Sequence, residues 1–295
     1  MATPNFFVIG AAKSGTSSLH SYLGQHPQIY MSSVKEPHFF AYQASRELVG
    51  HLYADVEAAA QFYQSLFEGA SSERAIGEAS NSSLCVPGTA EQIKAHQPGA
   101  KIIAVLRHPV ERAYSHFRHF LEAGAETTVD FEHAIDQEEQ RLREGCPFTY
   151  GYKQWGFYYR QLQPYYDIFP GERIQIHLYE DYVADPVRVL QSIFAFLKVE
   201  PSFVPDVREK LNVNRIPDHR VLYNAVAGQD RYLKAVMRQL PVRRIREGIE
   251  SFVGQRALLK LPLKPTTRTR LIEEFSSDIE KLQTLIGRDL SGWLR

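Results

Sequence analysis

Apolar positions along the chain fall into short runs and helical stripes that take turns. Phe6–Ile9 is an apolar run that stops at Gly10, the pattern of a buried strand. The small and polar residues from Gly10 to Ser18 read as a loop. From Ser17 to Gln25, Leu19, Tyr22 and Leu23 recur at helical spacing, and His26-Pro27 ends that helix. Ile29–Met31 reads as a second strand, and residues 55–68 as a helix with Phe62, Leu66 and Phe67 on one side. Ile102–Leu106, five apolar residues between Lys101 and Arg107, is the clearest strand. Pro109 then suits the first turn of a helix that runs to Ala123 and stops at Gly124. An aromatic-rich helix over 154–168, a strand over Ile174–Tyr179, a helix from the Asp185-Pro186 cap to Leu197, and a terminal helix over Thr267–Ile286 closed by Gly287 complete the pattern.

Strands that alternate with helices predict a parallel sheet covered on both faces, a three-layer α/β/α arrangement. In such sheets ligands sit beyond the carboxyl ends of the strands, where Gly10 and Arg107 both fall. The 295 residues suit one domain spanning 1–295, with 208–270 as a helical lid on the acceptor side. The 34 basic and 34 acidic residues argue against a nucleic-acid-coating protein. Cys85 and Cys146 can form neither a disulfide framework nor a four-sulfur zinc site, which favours a reducing compartment. No apolar run approaches the ~20 residues that span a bilayer, and Met1–Pro4 lacks the basic start of a signal peptide, so the expected location is cytoplasmic, with an N-terminal anchor missing from the sequence as the alternative.

The candidate chemistry sits at two of these strand ends. Gly10-Ala11-Ala12-Lys13-Ser14-Gly15-Thr16-Ser17-Ser18 joins a strand to a helix, so free amides, a helix dipole, a lysine and hydroxyls can converge on an anion. This makes the fold P-loop-like. The nucleotide-hydrolysing version needs Gly-Lys-Ser/Thr, and here the lysine precedes the second glycine. The second candidate pairs Arg107, at the end of a buried strand, with Ser115 two turns into the next helix. A guanidinium can fork onto a phosphate and a hydroxyl can add a bond.

Together these motifs resemble the sulfotransferases that use 3′-phosphoadenosine 5′-phosphosulfate (PAPS). The first loop resembles the family's 5′-phosphosulfate loop, and Arg107 and Ser115 resemble its 3′-phosphate motif in type and spacing. The nearer likeness is to the branch holding heparan sulfate N- and O-sulfotransferases and their bacterial relatives. Lys35-Glu36-Pro37-His38-Phe39-Phe40, Gly77-Glu78-Ala79-Ser80, Gly156-Phe157-Tyr158 through Gln161-Leu162, and Ile286 through Trp293 each resemble segments of that branch. Two features depart from it. Ala79 stands where the human glycan enzymes carry lysine, and their cysteine-flanked covering loop is not evident; Lys210–Arg220, with Asn212, Asn214, Arg215 and Arg220, is the candidate for that role.

The resemblance implies in-line transfer of a sulfuryl group from PAPS to a hydroxyl or amine of a glycan, glycolipid or related acceptor, leaving the adenosine bisphosphate PAP, with no metal. Lys13 is then the catalytic cation on the leaving group, Glu36 the general base and His38 the second choice for it. Lys13, Ser14, Gly15, Thr16, Ser17, Ser18, Arg107 and Ser115 are the donor-binding residues. Residues 231–270 hold eleven Lys/Arg against Glu247 and Glu250, interleaved with apolar residues. Such a surface suits an anionic glycan, a lipid-linked acceptor or peripheral contact with acidic lipid, and a solvated basic face is the plain alternative. A P-loop nucleotide-dependent small-molecule kinase and a non-catalytic nucleotide- or glycan-binding relative are the competing functions.

Overall fold

A computed structural model describes residues 2–49, 52–208 and 263–295. Among these, β1 (Phe6–Gly10), β2 (Ile29–Met31), β3 (Ala75–Ala79), β4 (Lys101–Leu106) and β5 (Ile174–Leu178) form one all-parallel sheet, in the order β2-β3-β1-β4-β5. After β1 come α1 (Thr16–Leu23) and, past β2, α2 (Phe39–Ala44), α3 (Arg46–Val49) and α4 (Val56–Ser65). The β3–β4 link carries α5 (Ser82–Cys85) and α6 (Thr89–His96). The β4–β5 link carries α7 (Pro109–Glu122), α8 (Phe131–Asp136), α9 (Glu138–Arg143) and α10 (Tyr158–Ile168). Beyond β5 lie α11 (Tyr179–Ala184), α12 (Pro186–Leu197) and the terminal α13 (Pro265–Ile286).

Successive strand residues face opposite layers, so the sheet feeds two cores. Phe7, Ile9, Ile102, Ala104 and Leu106 join Phe117 of α7, Leu162 of α10 and Phe275 of α13. Phe6, Val8, Ile103 and Val105 join Leu19 of α1 and Phe194 of α12. Each fully buried side chain of this size contributes roughly 1.5–3 kcal/mol. The expected three-layer architecture is therefore present. The placement of its crossovers creates the cleft: the chain leaves β1 through α1 on one face and leaves neighbouring β4 through α7 on the other. Adjacent strands that send their loops apart open a crevice at the carboxyl edge of the sheet.

Two elements differ from the pattern-based expectation. β3 was expected only as a motif, because Gly77, Glu78 and Ala79 do not read as a buried strand. Its glycine is a packing requirement: the ring of Phe6 on β1 lies where a Cβ at Gly77 would project. The helix expected over 154–168 divides into a turn at Gln154–Gly156 and α10. At Phe157 the backbone leaves helical angles, and no local side chain caps α10. Asp278 of α13 does so from 119 residues away, accepting from the Tyr159 N–H at 2.9 Å and the Arg160 N–H at 3.3 Å.

Lys210–Arg220 and most of the 208–270 region lie outside the described residues. At its described end, Lys264 pairs with Glu132 at 2.6 Å, Arg270 with Asp136 at 3.0 Å, and Arg268 with Glu111. These three cations of the basic run fasten α13 to α7 and α8. None of the described helices is long and apolar enough to cross a membrane.

Candidate active site

The loop between β1 and α1 is shaped by two left-handed residues, Lys13 at φ 66° and Gly15 at φ 84°. Gly15 is the N-cap of α1 and supplies no side-chain cap, so the first-turn amides of that eight-residue helix keep free N–H groups. A Cβ at Gly15 would stand 3.0 Å from the Tyr182 ring, and at this positive φ any side chain would be strained, so glycine suits the position. The loop is tied to β4 by the Ala11 N–H, which donates to the Val105 carbonyl at 2.8 Å. It is tied to the second motif by Arg107, whose guanidinium donates to the Lys13 carbonyl at 3.2 Å. Arg107 lies over the Tyr179 ring, 4.9 Å from its centroid, and its own carbonyl accepts from the Tyr158 hydroxyl at 2.9 Å.

Lys13, Gly15, Thr16, Ser17, Ser18, Arg107 and Ser115 line one cleft of about 690 Å³, and Glu36 and His38 line it too. Ser14 does not line it: the residue is fully buried and its hydroxyl has no partner among the described residues. Burial pushes the Lys13 ammonium down to about 8; Glu122 acts against the shift and Arg107 adds to it. A cation held this way gains from any anion that enters the cleft.

The opposite wall follows β2 and β3. Glu36 and His38 are both left-handed, at φ 60° and 56°, a strained backbone for residues with a Cβ. The Glu36 N–H donates to the Ala79 carbonyl at 2.9 Å. Its carboxylate accepts from the Asn81 N–H at 2.7 Å and pairs with Lys35. Burial raises the Glu36 carboxyl, but Lys35, His38 and the Asn81 N–H together hold it below the usual carboxylate range. His38 has Nδ1 2.7 Å from the Ser82 hydroxyl, and its N–H donates to the Ser80 hydroxyl at 3.0 Å.

The sequence reading passed over several lining residues. Tyr179 follows β5 at the same sheet edge that drew attention to Arg107, so the strand-end rule could have found it. His119 and Glu122 lie four and seven positions after Ser115, on the helix face that Ser115 presents to the cleft. Burial and nearby Lys13 push His119 down to about 4, so it is neutral at pH 7. Nothing in the sequence points to this role of Asn81, because it acts through its backbone. Among the described residues, no group of three or more His, Cys, Asp or Glu could hold a metal ion.

Comparison with known proteins bears on the family and the fold. The sequence model described as "Sulfotransferase family" matches residues 4–203. A solved sulfotransferase from Alicyclobacillus acidocaldarius is 33% identical, with a TM-score of 0.78 and 100% of both chains covered. Carbohydrate sulfotransferase 15 of Mus musculus is 29% identical over 250 residues, 67% of this chain and 44% of the relative. The human bifunctional heparan sulfate N-deacetylase/N-sulfotransferase 2 is 25% identical over 211 residues, 67% of this chain and 22% of the relative. The chain thus spans less than half the length of these curated relatives. With the family's model matched over most of the chain and a full-length structural counterpart, the chain belongs to the sulfotransferase family.

Proposed function

We propose that this protein is a PAPS-dependent sulfotransferase that acts on a hydroxyl or amine of a carbohydrate acceptor. The observation that carries the reading is the junction of the two anion motifs: Arg107 donates to the carbonyl of Lys13, so two separate cradles share one cleft. The residues suit such a donor. An uncapped helix start, a left-handed glycine packed closely under the Tyr182 ring and a buried ammonium form an anion cradle at one point, with Arg107 and Ser115 beside it. When bound, PAPS supplies a sulfuryl group on a phosphate leaving group.

The remaining roles belong to the chain. Lys13, with the amides and hydroxyls of Gly15, Thr16, Ser17 and Ser18, stabilises negative charge on the 5′ side, where a fixed charge in a water-poor cleft acts most strongly. Arg107 and Ser115 hold the 3′-phosphate and orient the donor. Glu36 takes the acceptor proton. Its carboxylate has about four lone-pair sites, and Lys35 and Asn81 use only part of them, which leaves room for an acceptor hydroxyl. His38, beside Glu36, supports that carboxylate or shares the proton.

A single domain and a reducing, cytoplasmic setting complete the proposal. The free thiols of Cys85 and Cys146 suit that setting. The names of the relatives favour a carbohydrate acceptor over the other acceptors considered. The test is transfer of labelled sulfate from PAPS to a panel of neutral and anionic glycans, with Mg-ATP as the rival donor. Transfer from PAPS supports the reading, and turnover of Mg-ATP alone overturns it.

A further inference from the structure

Every hydrogen bond described above for the Glu36–His38 turn, apart from the Lys35 pair, comes from one five-residue segment, Glu78–Ser82. The Ala79 carbonyl accepts from the Glu36 N–H, the Asn81 N–H donates to the Glu36 carboxylate, and the Ser82 hydroxyl meets His38 Nδ1. The fourth contact has a hidden partner. The Ser80 hydroxyl accepts the His38 N–H at 3.0 Å while donating to Glu78 Oε2 at 2.8 Å. Glu78 and Ser80 are each 1% exposed, and Glu78 is absent from the cleft lining. The Ser80 N–H is in turn bonded to the Val8 carbonyl of β1, the strand that carries the phosphate loop.

A serine hydroxyl has one hydrogen and can rotate it between partners. With that hydrogen given to Glu78, its lone pairs are the part available to His38. A buried carboxyl thereby fixes the polarity of the hydroxyl, and the hydroxyl helps keep a left-handed residue in place. We propose that Glu78 is a positioning residue for the acceptor side of the cleft, acting through Ser80 on the backbone of His38 and so on the Glu36–His38 turn. The proposal rests on the sulfotransferase reading for its kinetic consequences only. Burial, with a smaller push from Glu36, raises the Glu78 carboxyl to about 8 against the opposing Ser80 bond. Near pH 7 the side chain is therefore neutral, and a glutamine oxygen can stand in for it.

The test uses the full chain in four variants: Glu78→Met, Glu78→Gln, Ser80→Ala, and Glu78→Met with Ser80→Ala. Both single losses, Met and Ala, are expected to lower kcat about tenfold, the scale of one buried hydrogen bond left unmade. Two residues acting through one bond couple, so the double variant should fall no further than either single. The Gln variant should keep kcat within about threefold of the parent, since it keeps the acceptor oxygen. PAP affinity, measured by calorimetry, should not change in any of them. Additive losses in the double variant, a Gln variant as slow as Met, or PAP affinity falling in step with kcat would each overturn the proposal, because each marks a general packing role. If the parent transfers no sulfate, the functional reading fails by itself. The positioning claim is then decided by the His38 ring signals in NMR. They should shift alike in the Met and Ala variants and stay put in Gln; any other pattern sinks it.

Discussion

The two walls of the cleft are built by opposite means. The wall from Gly10 to Ser18 is local: strand, glycine turn and helix start follow one another along the chain, and the amides that face the cleft belong to the loop itself. The wall at Glu36 and His38 is borrowed. Its two left-handed residues are held by partners 42 to 45 positions further along, through Ala79, Ser80, Asn81 and Ser82. A local cradle takes its amides from its own strand, turn and helix, with ties to the β4 end through Ala11 and Arg107. A borrowed turn takes its shape only when β2 and β3 lie side by side. Damage to the first should therefore be felt in binding and leaving-group charge, and damage to the second in the transfer step alone.

The largest expected effect tests the local wall. Lys13→Ala should lower kcat by about 100- to 1,000-fold, the scale of losing one preorganised donor to developing negative charge. Steady-state transfer with saturating PAPS measures it, and an unimpaired variant would remove Lys13 from the chemistry. Glu36→Gln comes next and tests the borrowed wall. Loss of a general base predicts a fall of about 100-fold in single-turnover transfer, with PAP affinity unchanged. If that variant transferred at the parent rate, the proton would have to go elsewhere, with His38 the first alternative.

This contrast also explains what the sequence could reveal. β1, β4, α7 and α12 were legible because their apolar spacing and their proline or glycine boundaries are local signals. The three-layer arrangement followed from their alternation. Lys13 and Arg107 were legible because they sit in or beside strand ends with the right neighbours, and Ser115 through its spacing from Arg107 on the following helix. β3 was not, since Gly77 and Glu78 answer to Phe6 and Ser80, which pattern analysis cannot pair with them. The break before α10 was illegible for the same reason: its cap, Asp278, comes from the far end of the chain. Glu36 and His38 were found only through the family likeness. Spacing gives no hint that both adopt positive φ, and that strain is what distinguishes the turn in the structure.

A smaller, graded effect is expected from pH. Burial brings Lys13 down to about 8, despite Glu122 and with a further push from Arg107. The charged form is thus full well below pH 8 and is lost as pH rises through that value. PAP affinity should stay level on the acid side and then decline, by at most about tenfold per pH unit if only the ammonium binds. Lys13→Arg should flatten the decline, because a guanidinium keeps its charge there. A decline that survives this change belongs to another group and would weaken the claim that the local wall works through one buried cation.

The smallest effect isolates how the two motifs are joined. Tyr158 is fully buried on α10, and its hydroxyl donates to the Arg107 carbonyl at 2.9 Å. Tyr158→Phe keeps the ring and deletes the donor, so a part-buried carbonyl loses its partner at a net loss of about 1 kcal/mol. Arg107 still has the Tyr179 ring beneath it and the Lys13 carbonyl before it. The guanidinium should therefore lose precision rather than its place. PAP affinity measured by calorimetry should weaken about fivefold, in line with that free energy, while kcat at saturating PAPS holds. A fall in kcat with affinity intact would mean that the β4 end serves the transfer step as well. The division between a wall that binds and a wall that reacts would then be wrong at the point where the two motifs meet.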